Sequence, residues 1–493
     1  NAADVSMLWF NIIMLLCGYV CGAKILFLAP FAPRSHEITF NSVASVLVDR
    51  GHQVTMVTTG SLAVKGVTYL KTDTMFNPNQ SEDFRSFMGS IFGGVNFLTR
   101  ILYITRIAAL VGGEITERCF KNEEILALYK LPPKTYDLVV INALANFCTA
   151  PLAHLQQAPL VLLSPAGLLH HTHASLGNPN MPSISPSPFL EFSDDMSFLE
   201  RVVNTFSQVL PHVILNLIVF PNVDRKFFNT TGQTIPAVSE IMREASLVMT
   251  NTHHSLSYPR PFLPNMLEIG GINCNPAQPL PEKFERFVKA GGKGFIYFSL
   301  GSTTPGHFLP KDKTDILLEV FRKLPYQVIW KYDRPELIKD APKNVMLVAW
   351  APQQDLMGHS DIVLFITQGG MLSIQEAVYH GVPILGMPMF GDQQSNMKQV
   401  SETGTGLMLE WGQVTEQSLS LNIQEVVTEP RFKENIMNRS EIFKDELVRP
   451  KDKAAYWIEY VLKYEGGEFL KSPGRHLWFF QYYLLDVVTF IIL

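Results

Sequence analysis

The stretch from Trp350 to Gln394 constrains the fold of this chain more than any other part of it. The run Ile362–Thr367 is short, apolar and rich in branched residues, which is typical of a buried parallel strand. A glycine turn follows at Gln368–Gly370, and helical spacing then predicts a helix over Ser373–His380, with the next strand at Val382–Leu385. Strand, glycine turn, helix and strand in this order predict a parallel α/β sheet. The N-terminus of its helix is an anion site suited to a phosphate.

Polar side chains are spaced along this stretch as a nucleotide-sugar site requires. Trp350 offers a flat face for a base, and Gln353 offers an amide for the edges of the base or the ribose. Glu376, about one turn into the helix, is placed to accept hydrogen bonds from both ribose hydroxyls. Asp392 and Gln393 follow the next strand, where a sugar on the second phosphate would reach. A Gly-Gly turn alone fits any α/β sheet, whereas the whole ordered set is far more specific.

This ordered set resembles the signature of the UDP-glycosyltransferases, a family that glycosylates small lipophilic molecules. The shared pattern is carried by Trp350, Pro352, Gln353, Thr367, Gln368, Gly370, Glu376, Ala377, Gly381, Val382, Pro383, Asp392 and Gln393. The resemblance covers nearly the whole chain and is closest to the membrane-bound animal enzymes. Gln368 stands where most members have a His that touches the donor phosphate. This feature resembles the invertebrate (insect) branch, in which UDP-glucose is the usual donor.

The resemblance also implies further donor-binding residues. Ser302 follows a predicted strand at Gly294–Leu300, and it is expected near the diphosphate, as are Gly370 and Ser373. Arg260 matches a family arginine near the donor sugar. These assignments are expectations from the family pattern.

A strand at Lys24–Leu28, a helix capped by Ser35 and a strand at Gln53–Thr58 predict the βαβ unit that opens a doubly wound domain. His36 lies just inside this helix, at the edge of the sheet where ligands bind in such folds. By resemblance, His36 occupies the position of the catalytic base. A neutral imidazole there can take the proton of an acceptor hydroxyl as its oxygen attacks the sugar carbon.

Asn142 follows the predicted strand Tyr136–Ile141 and departs from the family pattern. The resemblance places a carboxylate at this position, where it would pair with His36 and raise its basicity. The side-chain carbonyl of Asn142 could orient the imidazole, but an amide has no charge to stabilise an imidazolium. Four alternatives stay open: His36 works alone, another carboxylate serves, the acceptor is already nucleophilic as a phenolate is, or activity is low. Asp137 is the nearest carboxylate in sequence, at the other end of the strand.

The ends of the chain predict a secreted, membrane-anchored protein. Leu8–Val20 has the length and composition of the apolar core of a signal sequence, with cleavage expected near Gly22. Leu477–Leu493 is a second apolar run with interfacial aromatic residues, and it predicts the beginning of a C-terminal anchor. Three sequons fit a lumenal body, headed by Asn79, Asn229 and Asn438. We expect a single-pass type I protein of the endoplasmic reticulum membrane, with its catalytic body in the lumen.

Composition excludes several other classes of protein. The length of 493 residues is too great for one core, so two domains are expected. The net charge of −5 comes without basic runs, which argues against a nucleic-acid partner. No G-x-G-x-x-G follows a predicted strand, which weakens a dinucleotide-dependent oxidoreductase. The cysteines beyond the signal are too few and too scattered for a disulfide framework or a zinc site, namely Cys119, Cys148 and Cys274.

Several segments are expected to shape the acceptor side and the connection between domains. Apolar residues from Phe84 to Leu102 recur at helical steps, in the region that lines the acceptor pocket in the family. Phe198–Phe228 is predicted to be a helix that forms pocket wall or a membrane-facing surface. The H-H-x-H run at His170–His173 lacks the partner spacing of a metal site and is expected in a loop near the acceptor mouth. Tyr258–Pro264 predicts the connector between domains, and Lys433–Tyr464 is predicted to be helical and to cross back to the first domain.

Together these features predict a GT-B fold, with two doubly wound Rossmann-like α/β domains facing across a cleft. The expected order is a signal peptide at 1–22, an acceptor-binding domain at 23–262, a UDP-sugar-binding domain at 263–445, helices crossing back at 446–476, and the start of the anchor at 477–493. The expected reaction is metal-free, inverting transfer of a hexose, glucose by kinship, from a UDP-sugar to a hydroxyl of a small lipophilic acceptor. Detoxification and hormone or pigment conjugation are reactions of this kind.

The UDP-sugar is a co-substrate, and no other cofactor is expected. A homo-oligomer is compatible with the sequence. The alternative function is that of a non-catalytic or weakly active member that binds a lipophilic ligand, because Asn142 replaces the carboxylate of the family pattern.

Overall fold

The structure is a computed structural model that describes residues 22–60, 62–72, 111–144, 146–302 and 304–493, the side chains of 111 and 112 excepted. Three predictions lie outside these ranges. They are the signal sequence, the apolar stripe between Phe84 and Leu102, and the sequon at Asn79.

Seven parallel strands form the first sheet, in the order β3-β2-β1-β4-β5-β6-β7. The chain starts in the middle of the sheet, builds outward to β3, and then returns to place β4 beside β1. This reversal opens a crevice at the carboxyl ends of β1 and β4, where doubly wound sheets bind their ligands. The strands are β1 Lys24–Leu28, β2 Gln53–Thr58, β3 Val67–Lys71, β4 Leu138–Asn142, β5 Leu160–Ser164, β6 Leu247–Thr250 and β7 Met266–Glu268.

Six parallel strands form the second sheet, in the order β10-β9-β8-β11-β12-β13. The strands after β8 are added first on one side of it, at β9 and β10, and then on the other side, beginning with β11. Strands β8 and β11 pair in parallel and end together at Ser299 and Thr367. The second crevice therefore opens beyond these two residues. The strands are β8 Phe295–Ser299, β9 Gln327–Lys331, β10 Val345–Val348, β11 Ile362–Thr367, β12 Ile384–Gly386 and β13 Gly406–Met408.

Helices cover both faces of each sheet, which is why the interiors of the central strands are buried. Those up to β6 are α1 Arg34–Asp49, α2 Thr116–Cys119, α3 Glu123–Leu128, α4 Pro151–Gln156, α5 His170–Ser175, α6 Phe198–Ile214, α7 Phe220–Thr231 and α8 Val238–Arg243. Those after it are α9 Glu282–Lys289, α10 Lys311–Lys323, α11 Gln353–Met357, α12 Met371–His380, α13 Gln393–Glu402, α14 Glu416–Thr428, α15 Pro430–Lys444, α16 Pro450–Lys463, α17 Phe479–Tyr482 and α18 Leu485–Ile492.

The predicted two-sheet α/β architecture is confirmed, but several boundaries differ. Met266–Glu268 is the last strand of the first sheet, because it pairs with β6, so the boundary placed at residue 263 is wrong. Helix α1 begins at Arg34 with Pro33 in the N-cap position, so Ser35 is not the cap. The H-H-x-H run forms the helix α5 rather than a loop.

The predicted return of the chain to the first lobe is carried by α16. Its apolar face belongs to the core built around β1 and α1, through Ala454, Ala455, Ile458 and Val461. On the polar side, Arg50, which directly follows α1, donates a hydrogen bond of 2.8 Å to Glu459. The last helix of the globular body is thus part of the wall of the first lobe.

A disulfide joins Cys119 and Cys148. The sequence predicted no disulfide framework, and it did not anticipate this single bond, which forms because the fold brings α2 against the loop that follows β4. The sulfurs lie in the buried core of the first lobe, and Tyr129 donates a hydrogen bond of 2.5 Å to the carbonyl of Cys148. Cys274 is free.

The predicted helix over Phe198–Phe228 is confirmed, and α6 and α7 run on through a π-helical turn as one helix of 34 residues, Phe198–Thr231. Among the described residues, this is the one helix long and apolar enough to cross a membrane, and 28% of its most apolar window is buried. Its exposed apolar side chains recur at helical steps, at Leu199, Val202, Phe206, Leu210, Val213 and Leu217. The C-terminal segment Leu477–Leu493 is also exposed, and its longest helix has 8 residues.

Candidate active site

The two crevices face each other, and a contact between the lobes joins them. Arg34 opens α1, just beyond the end of β1, and Trp350 follows β10. The guanidinium carbon of Arg34 lies 3.8 Å from the centre of the Trp350 ring. His36 is two residues after Arg34 in the same first turn of helix, so the proposed base and the proposed donor site share one cleft.

His36 and Asn142 are brought together at the first crevice, as the family pattern implies. The Nδ1 atom of His36 lies 3.2 Å from the side-chain nitrogen of Asn142. Burial lowers the pKa of His36 to about 4. The imidazole is therefore neutral at physiological pH and carries one proton on one of its two nitrogens.

The orientation of the Asn142 amide is fixed from its other side. Its carbonyl oxygen accepts a hydrogen bond of 3.0 Å from the backbone N–H of Leu144. The opposite orientation would place the amide N–H₂ against that backbone N–H, with two donors facing each other. The expectation that the carbonyl of Asn142 would orient the imidazole is therefore wrong, because the N–H₂ group faces His36.

Neither of the nearest carboxylates in sequence takes the place of the missing charge. Asp137 accepts a hydrogen bond from the backbone N–H of Lys24, at the far end of the strand. Glu37 is fully buried beside His36, but it turns towards the end of β2. There it accepts hydrogen bonds from the hydroxyls of Thr58 and Thr59.

Two cations lie over the indole of Trp350, which is half exposed. Arg34 stacks on the ring, and the Lys331 ammonium lies 5.0 Å from the ring centre. Lys331 ends β9 and donates a hydrogen bond of 2.7 Å to the carbonyl of Gly301. Burial, and then the charge of Arg34, lower the pKa of Lys331 to about 8. Two like charges beside a glycine turn favour an anionic ligand here.

A hydrogen-bonded cluster connects α11 with α12. The side-chain nitrogen of Gln353 donates to Ser373 at 3.1 Å and to Glu376 at 2.7 Å. Asn273 donates to the other oxygen of Glu376 at 2.8 Å. Burial still raises the pKa of Glu376 to about 7, although both hydrogen bonds lower it. Such a carboxylate is ready to accept further donors, such as hydroxyl groups.

The glycine turns of the two switch-point strands pack against each other. A Cβ atom added to Gly301 would lie 2.2 Å from the side-chain nitrogen of Gln368, and Gly301 has a φ of +75°. The carbonyl oxygen of the Gln368 side chain is buried and has no hydrogen-bond partner among the described residues. Ser302 is exposed beside this pair, and Gly370 caps the N-terminus of α12.

Arg260 and Asp392 line one cavity of about 50 Å³ between the lobes, together with His173, Thr252 and Asn396. Burial lowers the pKa of Arg260 and raises the pKa of Asp392, whose carboxylate accepts a hydrogen bond of 3.0 Å from Asn396. Gln393 is placed differently from the expectation. Its carbonyl oxygen accepts from the backbone N–H groups of Met389 and Phe390, at 2.8 and 3.1 Å, and so holds the turn after β12.

In the described part of the chain, one group of side chains could hold a metal ion, namely His253, His254 and Glu446. Nδ1 of His253 accepts a hydrogen bond of 3.1 Å from the backbone N–H of Ser255. The ring proton is then on Nε2, which lies 2.8 Å from Glu446 and donates to it. These contacts satisfy the imidazole without a metal, and they lie at the connection between the lobes rather than at His36.

Sequence reasoning missed three residues of this cleft. Arg34 precedes the S-H pair, Lys331 ends a strand whose carboxyl end faces the crevice, and Asn273 lies in the connector after β7. The position of Lys331 was a usable signal, since polar residues at the carboxyl ends of parallel strands approach ligands. Arg34 and Asn273 reach the site only through the packing of one lobe on the other.

A family profile described as "UDP-glucoronosyl and UDP-glucosyl transferase" matches residues 23–493. Among curated proteins, the chain is 31% identical over 489 residues to "UDP-glucosyltransferase 2" of Dactylopius coccus, covering 96% of this chain and 90% of the relative. It is 30% identical to the "2-hydroxyacylsphingosine 1-beta-galactosyltransferase" of Mus musculus, covering 98% and 88%. Among solved structures, "glycosyltransferase VinC in complex with DTDP" matches with a TM-score of 0.59 and 16% identity, covering 90% of this chain and 100% of that one.

Proposed function

Because the chain belongs to the UDP-glucoronosyl and UDP-glucosyl transferase family, it is a glycosyltransferase that moves a sugar from a UDP-sugar to an acceptor, and we propose that the sugar is glucose. The Dactylopius coccus relative is a UDP-glucosyltransferase by name, which supports glucose. We propose that the acceptor is a small lipophilic molecule with an acidic or hydroxyl oxygen. The reaction would be direct displacement at the anomeric carbon with inversion.

The contact between Arg34 and Trp350 carries this proposal. Through Arg34, it brings the helical turn that holds His36 close to the indole on which the uracil would stack. An acceptor held at His36 would therefore face the sugar of a nucleotide bound at Trp350. Displacement in one step needs this opposition of the two reacting groups.

We propose that the diphosphate lies between the Gly301 turn and the N-terminus of α12. Backbone N–H groups at Gly370–Ser373 and the hydroxyl of Ser302 would donate to it. Lys331 and Arg34 would neutralise the charge of the diphosphate, and Arg34 would move off the indole when the uracil binds there. Glu376 would accept from the ribose hydroxyls, and Asp392 with Arg260 would contact the sugar. The leaving UDP would then be stabilised by fixed donors as its negative charge grows.

The purified full chain should conjugate a phenol when given labelled UDP-glucose, UDP-glucuronate or UDP-galactose in separate reactions. Conjugate with UDP-glucose above the other two supports the choice of donor, and the reverse order overturns it. Trp350→Ala should weaken UDP-glucose binding. Trp478→Ala is the matched control, because this exposed tryptophan lies in the C-terminal segment outside the cleft.

A second candidate function is binding of a lipophilic ligand with little transfer, favoured by the amide at Asn142. It predicts measurable UDP-glucose binding by calorimetry with no conjugate from any acceptor in a panel of phenols, alcohols and acids. Conjugate from any of these acceptors would dismiss this candidate.

We further propose that the body of the protein is lumenal in the endoplasmic reticulum, held by a C-terminal anchor that begins at Leu477. The Cys119–Cys148 disulfide supports an oxidising compartment. Asn229 is exposed at the end of α7, whereas Asn438 lies inside α15 with Ser440 buried. Glycan removal should therefore shift the protein on a gel, and Asn229→Gln should abolish a glycan that Asn438→Gln leaves in place. No shift in any form would contradict lumenal exposure of Asn229.

A further inference from the structure

The His36–Asn142 pair differs from a base–carboxylate pair in the direction of its hydrogen bond. The amide of Asn142 cannot rotate without losing the hydrogen bond from the Leu144 backbone N–H, at 3.0 Å. Its N–H₂ group therefore donates to Nδ1 of His36 across 3.2 Å. An imidazole nitrogen that accepts a hydrogen bond carries no proton, so the single proton of the neutral ring is on Nε2.

This tautomer reverses what His36 can do in the cleft. The imidazole is partly exposed, and Nε2 makes no hydrogen bond to any described side chain or backbone group. With its proton in place, Nε2 is a donor, and it cannot remove a proton from an acceptor hydroxyl. In a serine protease, replacing the carboxylate beside the base by an amide fixes the wrong tautomer in the same way, and it lowers turnover about 10⁴-fold.

Resting on the proposed function, we propose that this site takes its acceptor as an anion, a carboxylate or an acidic phenolate, rather than deprotonating a neutral alcohol. The Nε2–H of His36 donates a hydrogen bond to the acceptor oxygen and holds it in line with the anomeric carbon. Glu37, the nearest negative charge along α1, is turned away towards Thr58 and Thr59, so it does not repel an anion at Nε2. Arg34, in the same turn of helix, adds positive charge to this side of the cleft.

The step needs no base. A lone pair of the acceptor oxyanion forms the bond to the anomeric carbon, while the bond from that carbon to the β-phosphate oxygen breaks. The electron pair leaves with UDP, which gains the negative charge that the acceptor loses. No proton moves, so the protonated Nε2 is compatible with turnover. His36 acts as a positioning donor for the nucleophile.

The test compares acceptors of one size and graded acidity, namely 4-nitrophenol, 4-methylphenol, benzoate and benzyl alcohol. At neutral pH the natural chain should conjugate 4-nitrophenol and benzoate, and it should conjugate benzyl alcohol at least about 100-fold more slowly. Asn142→Asp can accept from both the Leu144 N–H and the His36 Nδ1–H, which restores the basic tautomer. It should raise kcat/KM for benzyl alcohol by about 10²–10⁴, and it should raise the ratio of kcat/KM for benzyl alcohol to kcat/KM for 4-nitrophenol.

The pH profile of the natural chain keeps the test independent of any variant. With 4-methylphenol, kcat/KM should rise with pH in parallel with ionisation of the phenol itself. If kcat/KM instead became constant at pH values far below the pKa of the phenol, a group of the enzyme would be removing the proton, and the inference would be overturned. Nitrogen-15 spectra of histidine-labelled protein, with His36→Gln to assign the signal, should show Nε2–H in the natural chain and Nδ1–H in Asn142→Asp.

Two failures are distinguishable. If the natural chain conjugates benzyl alcohol as fast as Asn142→Asp does, the inference falls and the proposed function stands. If neither protein conjugates any of the four acceptors although UDP-glucose binds, the proposed function falls and takes the inference with it. A control with Asn422→Asp, a partly buried residue of α14 that is not among the proposed site residues, should leave every acceptor unchanged and so excludes an effect of added charge alone.

Discussion

At the residue scale, single atoms decide the chemistry of this cleft. The backbone N–H of Leu144 fixes one amide, the amide fixes one proton on His36, and that proton sets the kind of acceptor the site suits. On the donor side, Gln353 and Asn273 hold Glu376, and burial keeps its proton until near neutral pH.

UDP-glucose binding should strengthen as the pH rises through about 7. Burial raises the pKa of Glu376 to about 7, and only the ionised carboxylate accepts from both ribose hydroxyls. The ionised fraction rises about fivefold from pH 6 to pH 7, so the affinity should rise by roughly the same factor before Lys331, whose pKa is about 8, begins to lose its charge. Calorimetry with UDP-glucose, whose diphosphate does not titrate in this range, measures it. Glu376→Gln should bind weakly at every pH, and an unchanged slope in this variant would remove Glu376 from the explanation.

Gly301→Ala should weaken the binding of UDP-glucose by about tenfold, the equivalent of one hydrogen bond of about 1.4 kcal/mol. The new Cβ would meet the Gln368 side chain at 2.2 Å and push it from its place beside the turn. Gly292→Ala is the matched control, since Gly292 has a similar φ of +70° and nothing within 4 Å of an added Cβ. Both variants lose about 1–2 kcal/mol of stability to the left-handed backbone. Equal affinities would show that Gln368 does not take part.

At the element scale, the sequence predicted the parts whose signal is local. The strand–turn–helix at Ile362–His380 follows from its own apolar spacing and glycines. The structure confirms it, with the helix beginning two residues earlier than predicted. Short edge strands such as Gly406–Met408 were missed, because three residues carry too little pattern. The Arg34–Trp350 contact and the Cys119–Cys148 bond depend on distant segments packing together, and no local pattern contains that information.

The Cys119–Cys148 disulfide should stabilise the first lobe. Reduction, or Cys148→Ser, should lower the free energy of unfolding by about 2–4 kcal/mol. The bond joins cysteines that are 29 positions apart in the sequence, and the loop it closes restricts the unfolded chain. The loss should also loosen the loop after β4 and so reduce turnover. Thermal unfolding with and without reductant measures the first effect. Cys274→Ser is the control and should respond to reductant as the natural chain does, since Cys274 is unpaired.

At the scale of the whole molecule, the two lobes are joined by more than their connector. Helix α12, which carries Glu376, also binds the connecting segments, through Gln375 to the carbonyl of Asn251 at 2.8 Å and to the N–H of Gly271 at 3.0 Å. Helix α16 returns to pack in the core of the first lobe. Hydrogen bonds and apolar packing therefore link helix α12, the connecting segments and the first lobe.

Ile458→Ala should destabilise the first lobe by about 2–5 kcal/mol, because Ile458 of α16 is fully buried in the core around β1. UDP-glucose binding to the folded protein should be unchanged, since most of the residues proposed to bind the donor lie in the second lobe, away from α16. Limited proteolysis and thermal unfolding measure the effect. Tyr456→Ala, at a position 54% exposed on the same helix, should cost much less. Similar losses in the two variants would contradict the packing of α16.

The return of α16 has a consequence for exchanging parts between relatives. The sequence order suggests that a chimera joined near residue 268 would inherit a complete acceptor half from one parent. In fact the final helix would come from the other parent and would have to fit a foreign groove lined by Ala44 and Leu47. A workable hybrid must therefore take residues 450–463 from the same parent as its first half. Without that helix, the first lobe would pack incorrectly, and the measured acceptor preference would not be that of the parent.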